Sequence, residues 1–260
     1  MITPVRDTIG IEIIEKMPGL GFDYIELSLR DLAAAPAALF DAMARRIAAA
    51  GISCEACNNF FPPSLRFTGA EANPTAALSY AERSLERADR LGAKSIVFGS
   101  AGSRNVPPGF SHDTAWKQLV ELLQKLGSLA ARHGITIVIE HLNRQESNIV
   151  NSAAEGLRLQ QAVDHPNVQL LIDSYHLLRE AENPEIVRQA GAAIRHVHCA
   201  SGMERRFPSG TDAQLAAVIG HLRQIGYAGR CSIEAYTSDF PHDARQSLLV
   251  LKRIWEGKDE

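Results

Sequence analysis

Short apolar, β-branched runs alternate with longer amphipathic stretches along most of the chain. The runs are DYIELSL (23–29), ISCEACN (52–58), SIVFGS (95–100), TIVIEHL (136–142), QLLIDSY (169–175), HVHCAS (196–201) and CSIEAYT (231–237). Their length and β-branched content predict strands. Between them lie segments such as NPTAALSYAERSLERADRLGA and SHDTAWKQLVELLQKLGSLAARHG, each opening on a capping residue (Asn73, Ser111) and closing at a glycine. Continuous apolar strands separated by such helices imply a parallel sheet covered by helices.

Two architectures satisfy that alternation, an open doubly wound sheet and a closed (β/α)8 barrel. The nucleotide-binding form of the first needs a glycine-rich phosphate turn after its first strand, and DYIELSLRDLAAAP has none. Polar residues instead end at least four different strands: Glu140, Asp173, His198 and Glu234. Barrel enzymes build their sites from several strand ends at once, so the expected fold is an α/β (β/α)8 TIM barrel forming a single domain over residues 1–260. Seven strands are clear. An eighth must come from ITPVRDTIGIEII, where Ile9, Ile11 and Ile13 fit either a strand or the start of a helix, so the first strand is read as short, irregular or missing.

Composition changes this picture little. The chain is 45% hydrophobic and 22% charged with a formal net charge of -3, which recruits neither nucleic acid nor an anionic membrane. MITPVRDTIGIEIIEK has no apolar segment long enough for a signal peptide or a membrane span, so a cytoplasmic location is expected. Four cysteines, at 54, 57, 199 and 231, sit in or beside strands and read as small hydrophobes rather than a disulfide framework. Cys54 and Cys57 spell C-x-x-C, but positions three apart on a strand point to opposite faces, which argues against a zinc or redox motif.

The strand-end residues carry the candidate chemistry. One acid or histidine at a strand end is usually a cap, a surface ion pair or a hydrogen-bonded core group. Four at the same end of one barrel are harder to explain that way, because three carboxylates and an imidazole facing inward repel unless a divalent cation lies between them. An oxygen-rich site with one nitrogen suits Mn²⁺, Mg²⁺ or Co²⁺ with two positions left open. A sugar hydroxyl and carbonyl fit those positions.

Taken together, these segments resemble the xylose-isomerase-like TIM-barrel superfamily, and within it the ketose 3-epimerase and sugar phosphate isomerase/epimerase branch, from about residue 20 onward. EHLNRQE resembles that family's E-x-x-N-R-x-E, DSYH its D-S-x-H, the second histidine of HVH its histidine ligand, and GYAGRCSIEAY its closing segment. The resemblance implies a metal-dependent sugar isomerase or epimerase. Glu140, Asp173, His198 and Glu234 would bind one divalent ion, Mn²⁺ foremost; Glu140 and Glu234 would double as acid/base groups, and Asn143, Glu146 and His176 would contact substrate. A substrate-binding arginine follows the histidine ligand in the 3-epimerases, but HCASGMERRFPSG is longer here, which leaves Arg205 or Arg206; Arg206, preceding FPSG, is assigned. A small-molecule sugar as substrate and a homo-oligomer are expected, with no nucleic acid or membrane partner.

Weaker signals remain. Arg104 and Ser103 in FGSAGSRNVPPGF face either a phosphate or carboxylate of the substrate or solvent, and Asn58, Asn59 and Phe60 line the pocket or form a packed turn. His141 should point away from the axis if Glu140 points in, with His196 one layer below His198. A DNA-repair endonuclease of the same superfamily needs more strand-end histidines and a basic face. A lyase or dehydratase would use the same ligands and differ only in substrate, and a non-catalytic sugar-binding barrel would not need both glutamates.

Overall fold

All seven apolar runs form strands: β1 Tyr24–Ser28, β2 Ser53–Asn58, β3 Ser95–Phe98, β4 Thr136–Glu140, β5 Val168–Asp173, β6 Ile194–Cys199 and β7 Arg230–Ile233. They come from a computed structural model that describes residues 11–210 and 212–258. The strands lie in chain order and every neighbouring pair is parallel, with helices in the connections, as βα alternation requires. The caps predicted from sequence form: Asn73 accepts from the Ala76 amide at 2.9 Å at the start of helix Pro74–Arg90, and Ser111 from the Thr114 amide at 3.3 Å at the start of helix His112–Ala131. No helix among the described residues is long and apolar enough to cross a membrane.

The sheet curls into a nearly closed barrel. Among the described residues no ladder joins β1 to β7; the two edges are bridged by side chains. Tyr24 Oη lies 2.7 Å from Ser232 Oγ, and Ser232 Oγ donates to Glu26 Oε2 at 2.5 Å. A cleft of about 110 Å³, walled by Tyr24, Glu26, Ser232, Phe207 and Phe240, opens at this seam. Of the segment expected to supply an eighth strand, Ile11–Ile14 is a turn of helix followed by a second, Met17–Leu20, which ends at Gly21 with φ +88°. Ile11 and Ile13 thus lie in a helical turn rather than a strand; residues 2–10 of that segment lie outside the described residues.

One face prediction is overturned. The β1–β2 register slips between Ile25, which pairs with Cys54, and Glu26, which pairs with Ala56, so Glu55 has no opposite number. This bulge adds one residue to the alternation. Cys54 and Cys57 therefore share a buried side, their sulfurs 3.8 Å apart as free thiols.

Alternation elsewhere sorts the barrel interior into layers. Val97, Val138 and Leu171 form an apolar cluster. Val138 and Leu171 stand two residues before Glu140 and Asp173, as His196 and Ser232 do before His198 and Glu234. Hydrocarbon thus floors the polar strand ends under β3, β4 and β5, whereas under β6 and β7 the lower layer is itself polar.

Candidate metal centre

Glu140, Asp173 and His198 sit at or near the C-terminal ends of β4, β5 and β6, and Glu234 directly follows β7. Each is at most 9% exposed. One ligand atom from each lies within 4.8 Å of the others. The focus is His198 Nδ1, which is 2.8 Å from Glu234 Oε2, 3.2 Å from Glu140 Oε1 and 3.7 Å from Asp173 Oδ2.

Local structure aims each group. Asp173 caps helix Ser174–Arg179: its Oδ1 accepts from the amides of Tyr175 (2.7 Å) and His176 (3.1 Å), which leaves Oδ2 for the site. Glu140 packs against Gly99, where a Cβ would come within 2.0 Å of Glu140 Oε2. Only glycine allows the carboxylate that close to the β3 backbone. Arg104 is fully buried and binds main chain rather than facing solvent or substrate, donating to the carbonyls of Phe98 (3.1 Å) and Glu140 (2.7 Å). Burial lowers its pKa to about 10, so it stays charged and ties the ends of β3 and β4 together.

The electrostatics are those of a cation site. Burial and the Glu234 charge raise the Glu140 carboxyl against the pull of His198. Burial would also raise Glu234, but the charge and hydrogen bond of His198, with Arg205, hold it below the usual carboxylate range. Asp173 is likewise lowered, because His176, Arg205 and His198 together outweigh burial. The His198 imidazole is pushed well up by surrounding carboxylates despite burial. Three buried acids thus compete for positive charge. Three carboxylates and one imidazole nitrogen form a donor set that fits one hard or borderline divalent ion with oxygen-rich coordination.

Around this centre the predicted substrate residues separate. His176 is fully buried and its Nδ1 accepts from Asn143, from Nδ2 at 2.9 Å and the backbone amide at 3.2 Å. Its Nε2 therefore carries the proton, lies 3.8 Å from Asp173 Oδ2 and has no hydrogen-bond partner. Glu146 is exposed and orients Asn143, accepting from its Nδ2 at 2.9 Å. Glu146, Asn143 and His176 form one chain.

The arginine differs from the sequence assignment. Arg205, not Arg206, reaches the site: its Nη2 lies 3.0 Å from Asp173 Oδ2 and also bonds Glu234 Oε2, its Nε donates to the Glu234 carbonyl at 3.1 Å, and its guanidinium stacks 4.8 Å from the Tyr175 ring. Two backbone hydrogen bonds pair Arg206 with Ser201 and close a tight turn. Arg205 takes the left-handed position of that turn, φ +52°, and points inward, whereas Arg206 is exposed. The turn's register, which the sequence does not show, decides between the two.

Sequence reasoning missed Glu26. It lies mid-strand on β1, is 8% exposed, and accepts from His198 Nε2 at 2.9 Å, His196 Nε2 at 2.8 Å and Ser232 Oγ. Burial alone would raise it, but the two imidazoles hold its carboxyl well below the usual range. An acid inside the apolar run of DYIELSL was the available signal. His196 does sit beneath His198, its ring 5.3 Å away. His141 stands clear of the four-ligand cluster: its Nε2 accepts from the Asp173 amide at 3.3 Å, and burial lowers its pKa to about 3, which keeps it neutral. Asn58 is buried with an unpartnered Nδ2, and Ser103 donates to the Pro62 carbonyl at 3.0 Å.

The chain is similar in sequence to known epimerases. L-ribulose 3-epimerase of Methylomonas sp. (strain DH-1) is 33% identical over 144 residues, which is 54% of this chain and 50% of that protein. D-psicose 3-epimerase of Agrobacterium fabrum (strain C58 / ATCC 33970) is 28% identical over 234 residues, 86% of this chain and 78% of its own. The matched segment spans about half the length of the first such relatives. A crystal structure of D-psicose 3-epimerase in the presence of D-fructose superposes with a TM-score of 0.84 over 94% of this chain and 93% of that one, at 22% identity, a likeness of fold alone. The apo 3-keto-D-glucoside 4-epimerase of E. coli superposes with a TM-score of 0.78 at 25% identity, covering 93% of both chains. The sequence matches the xylose isomerase-like TIM barrel model over residues 14–254, and the chain belongs to that family.

Proposed function

We propose that the chain is a divalent-metal-dependent epimerase of keto sugars, moving a proton at the carbon next to a carbonyl by way of an enediolate. The observation that supports this most is that two buried glutamates from separate strands, Glu140 and Glu234, converge on one imidazole nitrogen at 3.2 and 2.8 Å. Carboxylates on two sides of a substrate can serve as base on one face and acid on the other, and that exchange of roles inverts a carbon centre. A bound divalent ion, Mn²⁺ by preference, supplies polarisation of the carbonyl and stabilises the charge that develops on its oxygen.

The remaining groups suit a polyhydroxylated substrate. The free Nε2–H of His176 offers a donor to a sugar oxygen, and the Arg205 guanidinium, held by Asp173, Glu234 and the Tyr175 ring, offers more. Buried Asn143 and exposed Glu146 fix the His176 tautomer. The relatives named as L-ribulose and D-psicose 3-epimerases point to carbon 3 of a ketose as the reacting centre.

The test is incubation of the chain in deuterated water with Mn²⁺ and L-ribulose, D-psicose, D-fructose or D-tagatose, followed by NMR. Deuterium at carbon 3 with appearance of the epimer, abolished by chelator and restored by Mn²⁺, is expected. A dehydrated product in place of an epimer would make the chain a lyase, and absence of exchange with every sugar would overturn the reading.

A further inference from the structure

His198 has two nitrogens, and the structure gives them different surroundings. Nδ1 faces the three carboxylates of the metal centre. Nε2 faces Glu26 Oε1 at 2.9 Å on the far side of the ring. An ionised carboxylate only accepts, so Nε2 is a donor and carries the proton. With that proton on Nε2, the lone pair of a neutral ring lies at Nδ1, on the side of the three carboxylates. The opposite tautomer would aim a hydrogen at the ion and a lone pair at an anion.

Glu26 is itself fixed from three sides. His196 Nε2 donates to Oε2 at 2.8 Å, and Ser232 Oγ donates to the same oxygen at 2.5 Å. The serine has spent its only hydrogen, so the Tyr24 hydroxyl, 2.7 Å away, donates to Ser232 Oγ. The carboxylate comes from β1 and its donors from β6 and β7, so this network is also what spans the seam of the barrel. A carboxylate with two imidazole donors and a hydroxyl is costly to bury and gains little as a mere seam tie, which apolar side chains would provide at lower desolvation cost.

We infer that Glu26 is a positioning residue of the metal centre: through Nε2–H of His198 it sets the ring's orientation and tautomer and strengthens Nδ1 as a ligand. This rests on the reading of Glu140, Asp173, His198 and Glu234 as the ion's ligands. Removal of such outer carboxylates typically weakens metal binding about 10- to 100-fold.

Two measurements test it. Calorimetric titration of Mn²⁺ into chelator-treated wild type and Glu26→Gln compares affinities. The variant keeps the shape and one acceptor but loses the charge, and should bind one ion per chain about 10- to 100-fold more weakly. In the Co²⁺-loaded wild type, the proton NMR spectrum should contain a hyperfine-shifted, exchangeable resonance from His198 Nε2–H that exchanges slowly with solvent because Glu26 holds it. That second measurement stands even if the variant does not fold. Failure of the wild type to bind a divalent ion would overturn the metal reading, and this inference with it. Wild-type binding with Glu26→Gln affinity unchanged within about threefold, or a wild-type spectrum without the protected proton, would overturn the role of Glu26 alone. Two ions per wild-type chain, one lost in Glu26→Gln, would overturn it in favour of a second ion on Glu26, His196 and His198.

Discussion

Replacing Gly99 with alanine isolates the placement of one carboxylate from everything else in the barrel. The new methyl carbon would lie 2.0 Å from Glu140 Oε2 and 3.2 Å from Cδ. Carbon–oxygen contacts are comfortable from roughly 3.3 Å, so the carboxylate must retreat by about 1 Å. Gly99 does not use the left-handed region that only glycine favours, and the clash is with the end of a side chain, so the fold should survive. The catalytic geometry should not: a displacement of about 1 Å at a reacting group costs on the order of 10²-fold in rate, about 2.7 kcal/mol of transition-state stabilisation. Gly102→Ala provides the contrast, because its Cβ would meet the Pro63 ring at 2.6 Å and the Pro63 Cα at 3.3 Å, away from the acids, so it should lower Tm without a specific rate defect. The assay is deuterium wash-in at the substrate carbon, with Tm and Mn²⁺ affinity measured on the same preparations. Full turnover in Gly99→Ala with the ion bound would show that the exact seat of Glu140 is immaterial and refute the reasoning.

Other expectations follow from the same geometry. Glu140→Gln and Glu234→Gln each retain a coordinating oxygen but lose the proton carrier; each should lower turnover about 10²- to 10⁴-fold, and the double variant should lose far less than the product of the two. Rate measurements on metal-loaded single and double variants check this, and normal interconversion in both singles would leave the glutamates as ligands only. Arg205→Ala should raise KM about 10- to 100-fold, as loss of a charged hydrogen-bonding group does, while exposed Arg206→Ala leaves it unchanged; equal effects would reverse the assignment made from the turn. His141, neutral in the fold with a pKa of about 3, takes up a proton on unfolding near pH 6.5. Its contribution to stability is therefore complete above pH 6.5 and is lost at about 1.4 kcal/mol per pH unit as pH falls toward 3. Urea unfolding of wild type and His141→Gln in chelator between pH 7 and 5 should show a shallower slope in the variant.

Strand positions were legible because apolar continuity and helix caps are local properties. The run TIVIEHL becomes Thr136–Glu140 and QLLIDSY becomes Val168–Asp173, with the acids where a barrel's chemistry collects. What failed to show depends on pairing between distant segments. The bulge at Glu55 that brings Cys54 and Cys57 together is a register event between β1 and β2. The choice of Arg205 over Arg206 follows from a turn closed by Ser201 and Arg206, two hydrogen bonds with no sequence signature. Glu26 lies in the middle of β1 rather than at a strand end, although an acid in the middle of a buried strand poses the same desolvation problem as Glu140. Its partners, His196, His198 and Ser232, lie 170 or more positions away.

The four candidate ligands, at positions 140, 173, 198 and 234, lie on or directly after four strands laid side by side, with no two in one local segment. An unfolded chain, or one in which β4 to β7 have not paired in order, cannot present them together. On the proposed reading, ion binding would be linked to completion of half the barrel, and free ion would weight the native state: each tenfold rise in its concentration above the dissociation constant would add about 1.4 kcal/mol to the free energy of unfolding. A chain starved of metal would then be both idle and easier to unfold, so the ion supply in its surroundings would set how long each copy persists as well as how fast it works.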